Sequence, residues 1–199
     1  MRLVVSMLKD REGVAMIEFT IVMLLLFLLT FGIIDFGNMV FQWNSAETAT
    51  QVGARTATIS DPVAAELATF DCNNGSITLG TPCRNGGTSF GTIVCNGATS
   101  SCTCPQLANC TFSSAALNLI LAPMQKVFPR LQAQNLIVEY IDVGLGFAGR
   151  QGPVPEVSVR LTGLTFQFAF LGGFLGRSSI TMPDFRASLV GEDLSSAGA

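Results

Sequence analysis

A long apolar run near the N-terminus constrains this chain more than any other feature of its sequence. Between positions 14 and 34 the only charged residue is Glu18. An α-helix rises about 1.5 Å per residue, so a helix of this length matches the roughly 30 Å hydrocarbon core of a bilayer. A helix that is apolar on every side over this length is typical of a membrane span and not of a soluble core. The sequence therefore predicts a transmembrane helix over residues 14–35.

Two simpler interpretations of this run compete with a functional one. A secretory signal peptide has an apolar region of roughly 7–15 residues that ends at a small-residue cleavage site. Here the run is longer, and the residues after Ile34 are Asp-Phe-Gly-Asn-Met, without an A-x-A pattern. A plain membrane anchor, with Glu18 reaching for headgroup water, explains the span. It does not explain why Gly13 comes immediately before the run and Glu18 is the fifth residue after that glycine.

The basic residues on either side of the span predict its orientation. Arg2, Lys9 and Arg11 precede the span, and the first basic residue after it is Arg55. Because lysine and arginine are retained on the cytoplasmic side, the N-terminus is predicted to be cytoplasmic. Everything after Asp35 is then predicted to be extracytoplasmic.

All six cysteines lie in one polar, glycine-rich stretch, residues 71–111. An even, clustered set in an oxidising compartment is typical of disulfides, whereas in a reducing compartment it would indicate a metal site. The C-x-C spacing and the absence of histidine fit zinc templates poorly, so we expect three disulfides and no metal. The spacing leaves the pairing open among Cys72, Cys83, Cys95, Cys102, Cys104 and Cys110.

Composition argues against two functional classes. A net charge of −3 and a pI near 4.8 argue against nucleic acid as a partner. Histidine is absent, which removes the commonest general base, and the acidic residues are scattered without the spacing of a catalytic pair. No glycine loop for phosphates is present either. The sequence therefore predicts a protein that is not an enzyme and has no cofactor.

Beyond the span, the periodicity predicts an α+β protein. Small residues at three- and four-residue steps continue the first helix through residues 36–60. Residues 61–199 form one extracytoplasmic domain with the cysteine-rich insertion 71–111. In it we expect a short helix at 62–70, an edge strand at 88–94 and an amphipathic helix that begins at Ser113 or Ser114 and is kinked or divided by Pro123. Antiparallel strands are expected at 136–143 and 156–161; residues 164–170 extend the second strand or form a third, and 180–182 with 185–190 add a last strand. The stretch 171–176 is too rich in glycine for a stable helix.

The segment from residue 10 to 58 resembles the TadE-like family of the tight adherence (Tad), or Flp-type, pilus system. The resemblance is carried by a basic leader, Gly13, four apolar residues, Glu18 and Phe19 before a long apolar helix, and by the sequence Gly-Ile-Ile-Asp-Phe-Gly at 32–37. It implies that a membrane prepilin peptidase removes the leader 1–13 after Gly13. Val14 would then be the new N-terminus, and Glu18 the fifth residue of the mature chain.

The resemblance also implies what Glu18 does. In an assembled stack, its carboxylate would neutralise the N-terminal ammonium of a neighbouring subunit, since a paired buried charge is tolerated where an unpaired one is not. Phe19 stands where Flp pilins have tyrosine, and the domain after Asp61 is larger than that of a major Flp pilin. The prediction is therefore a minor pilin or pseudopilin whose partners are the membrane, the peptidase, other pilin subunits and the assembly machinery. The alternative is an uncleaved single-span envelope anchor with an extracytoplasmic binding or adhesion domain.

Overall fold

The computed structural model describes residues 11–150, 152, 154–191 and 194. They form two compact units. The first contains the described N-terminal part of the chain up to Phe41 together with Thr165–Ile180, and the second contains Gln42–Leu164 and the described residues from Thr181 onwards. Most of the predicted leader, residues 1–10, lies outside the described residues.

Helix α1 spans Arg11–Thr58 and confirms the single long helix predicted from the sequence. It contains no proline, and the first proline of the chain is Pro62, just beyond its end. Two hydroxyls in its apolar part bond back to the preceding turn. The Thr20 hydroxyl donates to the Met16 carbonyl at 2.7 Å, and the Thr30 hydroxyl donates to the Leu26 carbonyl. These polar groups are therefore satisfied within the helix, as an apolar environment requires.

The first unit also contains a small hairpin with a one-turn helix at its tip. Strand β5 (Thr165–Gln167) pairs with β6 (Ser179–Thr181), and helix α3 (Gly172–Leu175) lies between them. The expectation that the glycine-rich stretch 171–176 is not helical was wrong for this one turn. Gly176 ends it in a left-handed conformation, with a φ of 64° that glycine adopts at little cost.

The second unit is built on a five-stranded antiparallel sheet with the order β2-β1-β3-β4-β7. Its strands are β1 (Thr92–Asn96), β2 (Ser101–Thr103), β3 (Leu136–Leu145), β4 (Val154–Leu161) and β7 (Phe185–Val190). The predicted strand at 88–94 exists, but it begins at Thr92 and is an inner strand; β2 covers the edge that the sequence left open. Alternate residues of β3 and β4 are fully buried, as a half-buried strand requires: Leu136, Val138, Tyr140, Val157, Val159 and Leu161.

Helix α2 (Ser114–Val127) contributes the helical part of this core. The Ser113 side chain caps it by accepting a hydrogen bond from the Ala116 N–H at 3.3 Å, as predicted. The helix is continuous through Pro123, so of the two predicted effects of this proline, a kink or a division, the division was wrong. Ile120 and Met124, on either side of the proline, are both fully buried, and this packing outweighs the lost backbone hydrogen bond.

The short helix predicted for 62–70 is only a 3₁₀ helix over Ala65–Thr69. The first residues of the predicted helix pair with another segment instead. The Val63 carbonyl accepts a hydrogen bond from the Ser113 N–H at 2.8 Å, and Ala64 forms a β-bridge with Phe112. The Val63 N–H donates to the Tyr140 hydroxyl at 2.9 Å. Burial raises the pKa of the Tyr140 phenol, which is therefore neutral at physiological pH. Tertiary pairing thus overrides a good local helix start.

Candidate functional site

The predicted processing segment lies in the first turns of α1 that the structure describes. Gly13, Val14, Glu18 and Phe19 are all helical. Val14 and Glu18 are four residues apart, so they lie on the same face of the helix, about one turn from each other. The structure therefore presents the predicted new N-terminus and the carboxylate side by side.

Glu18 and Phe19 are both exposed in the single chain. Within the described part of the chain, the Glu18 carboxylate makes no ion pair. The surrounding side chains Val14, Met16 and Ile17 are exposed and apolar. A carboxylate in such a setting needs a cationic partner once lipid or protein surrounds it.

The apolar part of α1 is uncovered by the protein. This helix is long and apolar enough to cross a membrane, and none of its most apolar window is buried within the chain. Leucine, isoleucine and phenylalanine side chains project from every side of it: Ile21, Leu24, Leu25, Leu28, Leu29, Phe31 and Ile33 are all exposed. This surface is the one that a bilayer would cover.

At the end of the apolar run, Asp35 is fully buried and bound by the hairpin of the same unit. Its carboxylate accepts hydrogen bonds from the N–H groups of Ala169, Phe170 and Leu171 at 2.9, 3.0 and 2.7 Å. The sequence indicated Asp35 only as the end of the span. No local pattern could have found its partners, which lie 134 to 136 residues further along the chain.

The second part of α1 buries a series of small residues instead. Ala46, Ala49, Ala54 and Ala57 are fully buried. Gly53 lies so close to Met124 of α2 that a Cβ at this position would be 2.5 Å from the Met124 sulfur. These small residues let α1 approach the core of the second unit closely, which supports the packing role predicted for them.

All six predicted cysteines form disulfides, which confirms the prediction and resolves the pairing. The bonds join Cys72 to Cys83, Cys95 to Cys102 and Cys104 to Cys110. Cys95 and Cys102 are opposite each other on β1 and β2, so this bond fastens the edge of the sheet.

Two acidic residues of the second unit, Glu139 and Asp71, have structural partners. Glu139 of β3 forms ion pairs with Arg160 of the adjacent strand β4 and with Arg186 of β7, the strand beyond it, each at 3.0 Å. The Asp71 carboxylate accepts from the N–H groups of Asn73 and Gly149 at 2.9 and 3.0 Å. Among the described residues no three histidine, cysteine, aspartate or glutamate side chains gather as metal ligands. A cavity lined by Phe70 and Phe90 has a volume of only about 10 Å³, room for a single water at most.

These features fit a single-pass membrane protein with a disulfide-bonded α+β domain. The N-terminal segment of this protein is TadE-like: the family model described as TadE-like protein matches residues 13–55. The match begins at Gly13 and includes Glu18, Phe19 and Asp35, and it confirms the resemblance seen in the sequence. No curated protein and no solved structure matches the chain.

Proposed function

We propose that this protein is a minor pilin or pseudopilin-like component of a Tad-type pilus assembly or secretion system. The observation that carries the proposal is the TadE-like match over residues 13–55, which begins at the predicted cleavage residue. The match ends before the β-sheet domain, so it leaves the larger part of the chain uncovered. This size supports a minor component over a main filament subunit.

In this proposal α1 holds the protein in the bacterial inner membrane, with the N-terminus in the cytoplasm and the second unit outside it. The basic residues before the span and the absence of any between Asp35 and Arg55 support this orientation. The three disulfides are consistent with it, because such bonds persist in the periplasm and not in the cytoplasm. The role is structural, without catalysis or a cofactor.

Processing begins with cleavage between Gly13 and Val14 by a prepilin peptidase. Gly13 lies in the first described turns of α1, where glycine costs roughly 1 kcal/mol of helix stability relative to alanine. A helix weakened at Gly13 opens more readily for a peptidase, and glycine leaves the scissile bond unobstructed. Cleavage creates an ammonium on Val14 in the plane of the membrane surface.

Assembly then uses the new ammonium and Glu18. Both lie on one face of α1, and Glu18 is exposed in the single chain. A neighbouring subunit shifted along the helix axis can place its Val14 ammonium against this carboxylate. In lipid or in a filament core the pair is tolerated, while either charge alone is costly, so the pair sets the axial register.

Processing is tested by intact mass and N-terminal sequencing of the protein extracted from membranes of piliated cells. The expected mature chain begins at Val14, and Gly13→Leu should retain residues 1–13. The matched control is Gly37→Leu, since Gly37 is on the same helix and nothing lies within 4 Å of the position of its Cβ. If the wild-type chain keeps its leader, the uncleaved envelope anchor becomes the better account.

Assembly is tested with Glu18→Ala and Glu18→Asp, scored by crosslinking to pilus subunits beside membrane yield. Glu18→Ala removes the costliest residue of the span, so it should insert normally and fail to be incorporated. Glu18→Asp, one methylene shorter, should be intermediate. Glu47→Ala, which removes an exposed carboxylate from the second part of α1, serves as the control. Normal crosslinking and piliation with Glu18→Ala would contradict the proposed pairing.

A further inference from the structure

The hairpin Thr165–Ile180 has a composition unlike that of the other loops of this chain. From residue 164 to 176 there is no charged side chain, and the segment contains four phenylalanines and two leucines beyond Leu164. At its tip Phe170 and Phe174 are exposed, and Phe174 is exposed by 74%. Arg177 is the first charged residue after the tip, and it too is exposed. An apolar tip followed by a cation is the pattern of a segment that meets a lipid surface.

This hairpin is bound to the outer end of the predicted span, within the same compact unit. Three consecutive N–H groups of the hairpin, from Ala169 to Leu171, donate to the Asp35 carboxylate. The Phe170 ring stacks on Phe31 with centroids 4.6 Å apart. A Cβ at Gly32 would be 3.9 Å from the Leu171 side chain, an ordinary contact distance, so Leu171 lies beside this turn of the helix.

The contact with Phe31 sets the level of the tip relative to the bilayer. Phe31 precedes Ile34, the last apolar residue of the run, by three positions, which corresponds to about 4.5 Å along the helix. Phe170 therefore lies at the last turn of the apolar run, on the membrane side of Asp35. A bilayer that covers the span up to Ile34 also reaches the tip of the hairpin.

Five backbone donors of the tip are hydrogen-bonded within the protein, as an environment without water favours. The Phe168 N–H donates to the Ser178 carbonyl at 3.0 Å, and the Phe174 N–H donates to the Leu171 carbonyl at 3.0 Å. Of the five N–H groups between them, those of Ala169, Phe170 and Leu171 donate to the Asp35 carboxylate. An unsatisfied backbone N–H group is costly in lipid, and these five donors, from Phe168 to Leu171 and at Phe174, are all hydrogen-bonded within the protein.

We infer that the tip of this hairpin inserts into the interfacial layer of the membrane beside the span, as a second lipid contact of the protein. The inference rests on the membrane anchoring in the proposed function, and it does not depend on cleavage or on pilus assembly. Phe170 and Phe174 occupy the boundary between headgroups and hydrocarbon, where aromatic rings are favoured. Asp35 is a positioning residue that fixes the hairpin to the helix at this level.

The depth of a single tryptophan in vesicles tests the inference. The chain has one tryptophan, Trp43, which Trp43→Phe replaces while keeping a ring against Phe185. In this background the full-length protein carries one of three reporters: Phe174→Trp at the tip, Phe27→Trp in the span, or Phe147→Trp on the second unit. Phe147 is the matched control, because it is a phenylalanine exposed by 52% outside the hairpin. The vesicles contain phosphatidylethanolamine and phosphatidylglycerol with brominated acyl chains as quenchers.

We expect both the Phe27→Trp and Phe174→Trp reporters to be quenched by the brominated lipids. Bromines near the headgroup should quench the tip reporter most strongly, and its emission should shift to shorter wavelength. The Phe147→Trp reporter should be quenched several-fold less and remain open to aqueous acrylamide. Because lipid is the only partner present, a quenched span reporter with an unquenched tip reporter would overturn the inference and leave the anchoring intact. If the span reporter is also unquenched, the anchoring fails, and the inference fails with it.

Discussion

The two parts of helix α1 differ in which side chains they expose. Residues 14–34 expose large apolar side chains on every side, whereas residues 46–57 bury four alanines completely. In a water-soluble protein the large side chains would be buried, because they gain most from leaving water. The difference teaches that the surroundings of this helix determine the size of its side chains. Bulky apolar residues suit a surface that lipid covers, and small residues suit a surface that packs closely on protein.

The two carboxylates in the first part differ in the same way. Asp35 has three backbone donors from its own chain, while Glu18 is exposed and has no ion-pair partner among the described residues. Asp35 is therefore satisfied within one protein molecule. Glu18 remains available for a second one, which is what an assembly residue requires.

A charge should have a large effect on the apolar surface of α1 and a small effect on the surface of the second unit. Leu25 is exposed by 56% in the first part of α1, and Leu79 is exposed by 74% in the second unit. Leu25→Arg should cost about 3 kcal/mol of membrane insertion, because arginine is strongly disfavoured at the centre of a span. Leu79→Arg should change the free energy of unfolding by no more than about 0.5 kcal/mol. Carbonate extraction measures the first effect and urea unfolding the second; equal, small effects would show that residues 14–34 do not span a membrane.

Removal of disulfides sharpens the comparison, since they stabilise only the second unit. Replacement of both Cys95 and Cys102 by alanine should lower the free energy of unfolding by about 2–5 kcal/mol without changing membrane insertion. The matched control is the double replacement of Cys104 and Cys110. The two bonds close loops of similar length, with sequence separations of 7 and 6, but only the first includes a fully buried cysteine. The first pair should therefore cost more, as measured by urea unfolding followed through the fluorescence of Trp43; a larger loss in the control would contradict this.

A bulky residue at Gly53 tests whether α1 needs a small residue where it packs against α2. Gly53→Leu should lower the free energy of unfolding of the second unit by about 1–3 kcal/mol, because its side chain would overlap the buried Met124. Gly37→Leu introduces the same side chain on the same helix, where nothing lies within 4 Å, and should leave this free energy unchanged. The same Trp43 fluorescence serves as readout. An unchanged midpoint for Gly53→Leu would mean that the close contact with α2 is not required.

The smallest expected effect concerns a carboxylate of the second unit. The Thr111 hydroxyl and the Thr111 N–H, which contact the Glu66 carboxylate at 2.6 and 2.7 Å, hold its pKa below the ordinary value. Because the folded pKa is lowered, this contribution to stability is present above the unfolded pKa of about 4.3 and is lost as pH falls through the folded value. Glu66→Gln should therefore reduce the loss of stability on acidification. Urea unfolding midpoints of the wild type and of Glu66→Gln, at neutral pH and below about pH 4, measure this loss. The same pH dependence in both proteins would mean that the contact contributes nothing to stability.

The sequence predicted the parts of this protein that depend on local pattern. The span followed from an apolar run of membrane length, the cap of α2 from Ser113, and the strands β3 and β4 from alternation of apolar residues. The TadE-like segment was predicted from Gly13, Glu18 and the apolar run, since these residues are close together in the chain. Such features are legible in the sequence because each depends on neighbours within a few residues.

Only the tertiary structure decided the features that join distant residues. The short helix expected at 62–70 is reduced to a 3₁₀ helix because its first residues pair with Phe112, Ser113 and Tyr140. The pairing of the six cysteines was decided by the fold: β1 and β2 place Cys95 opposite Cys102, and the loops bring Cys72 to Cys83 and Cys104 to Cys110. The hairpin at Asp35 has the same origin: its amide groups reach a carboxylate more than a hundred residues away because folding, and not spacing, brings them together. Hydrogen bonds and packing between such segments depend on three-dimensional proximity, and no periodicity of the chain records it.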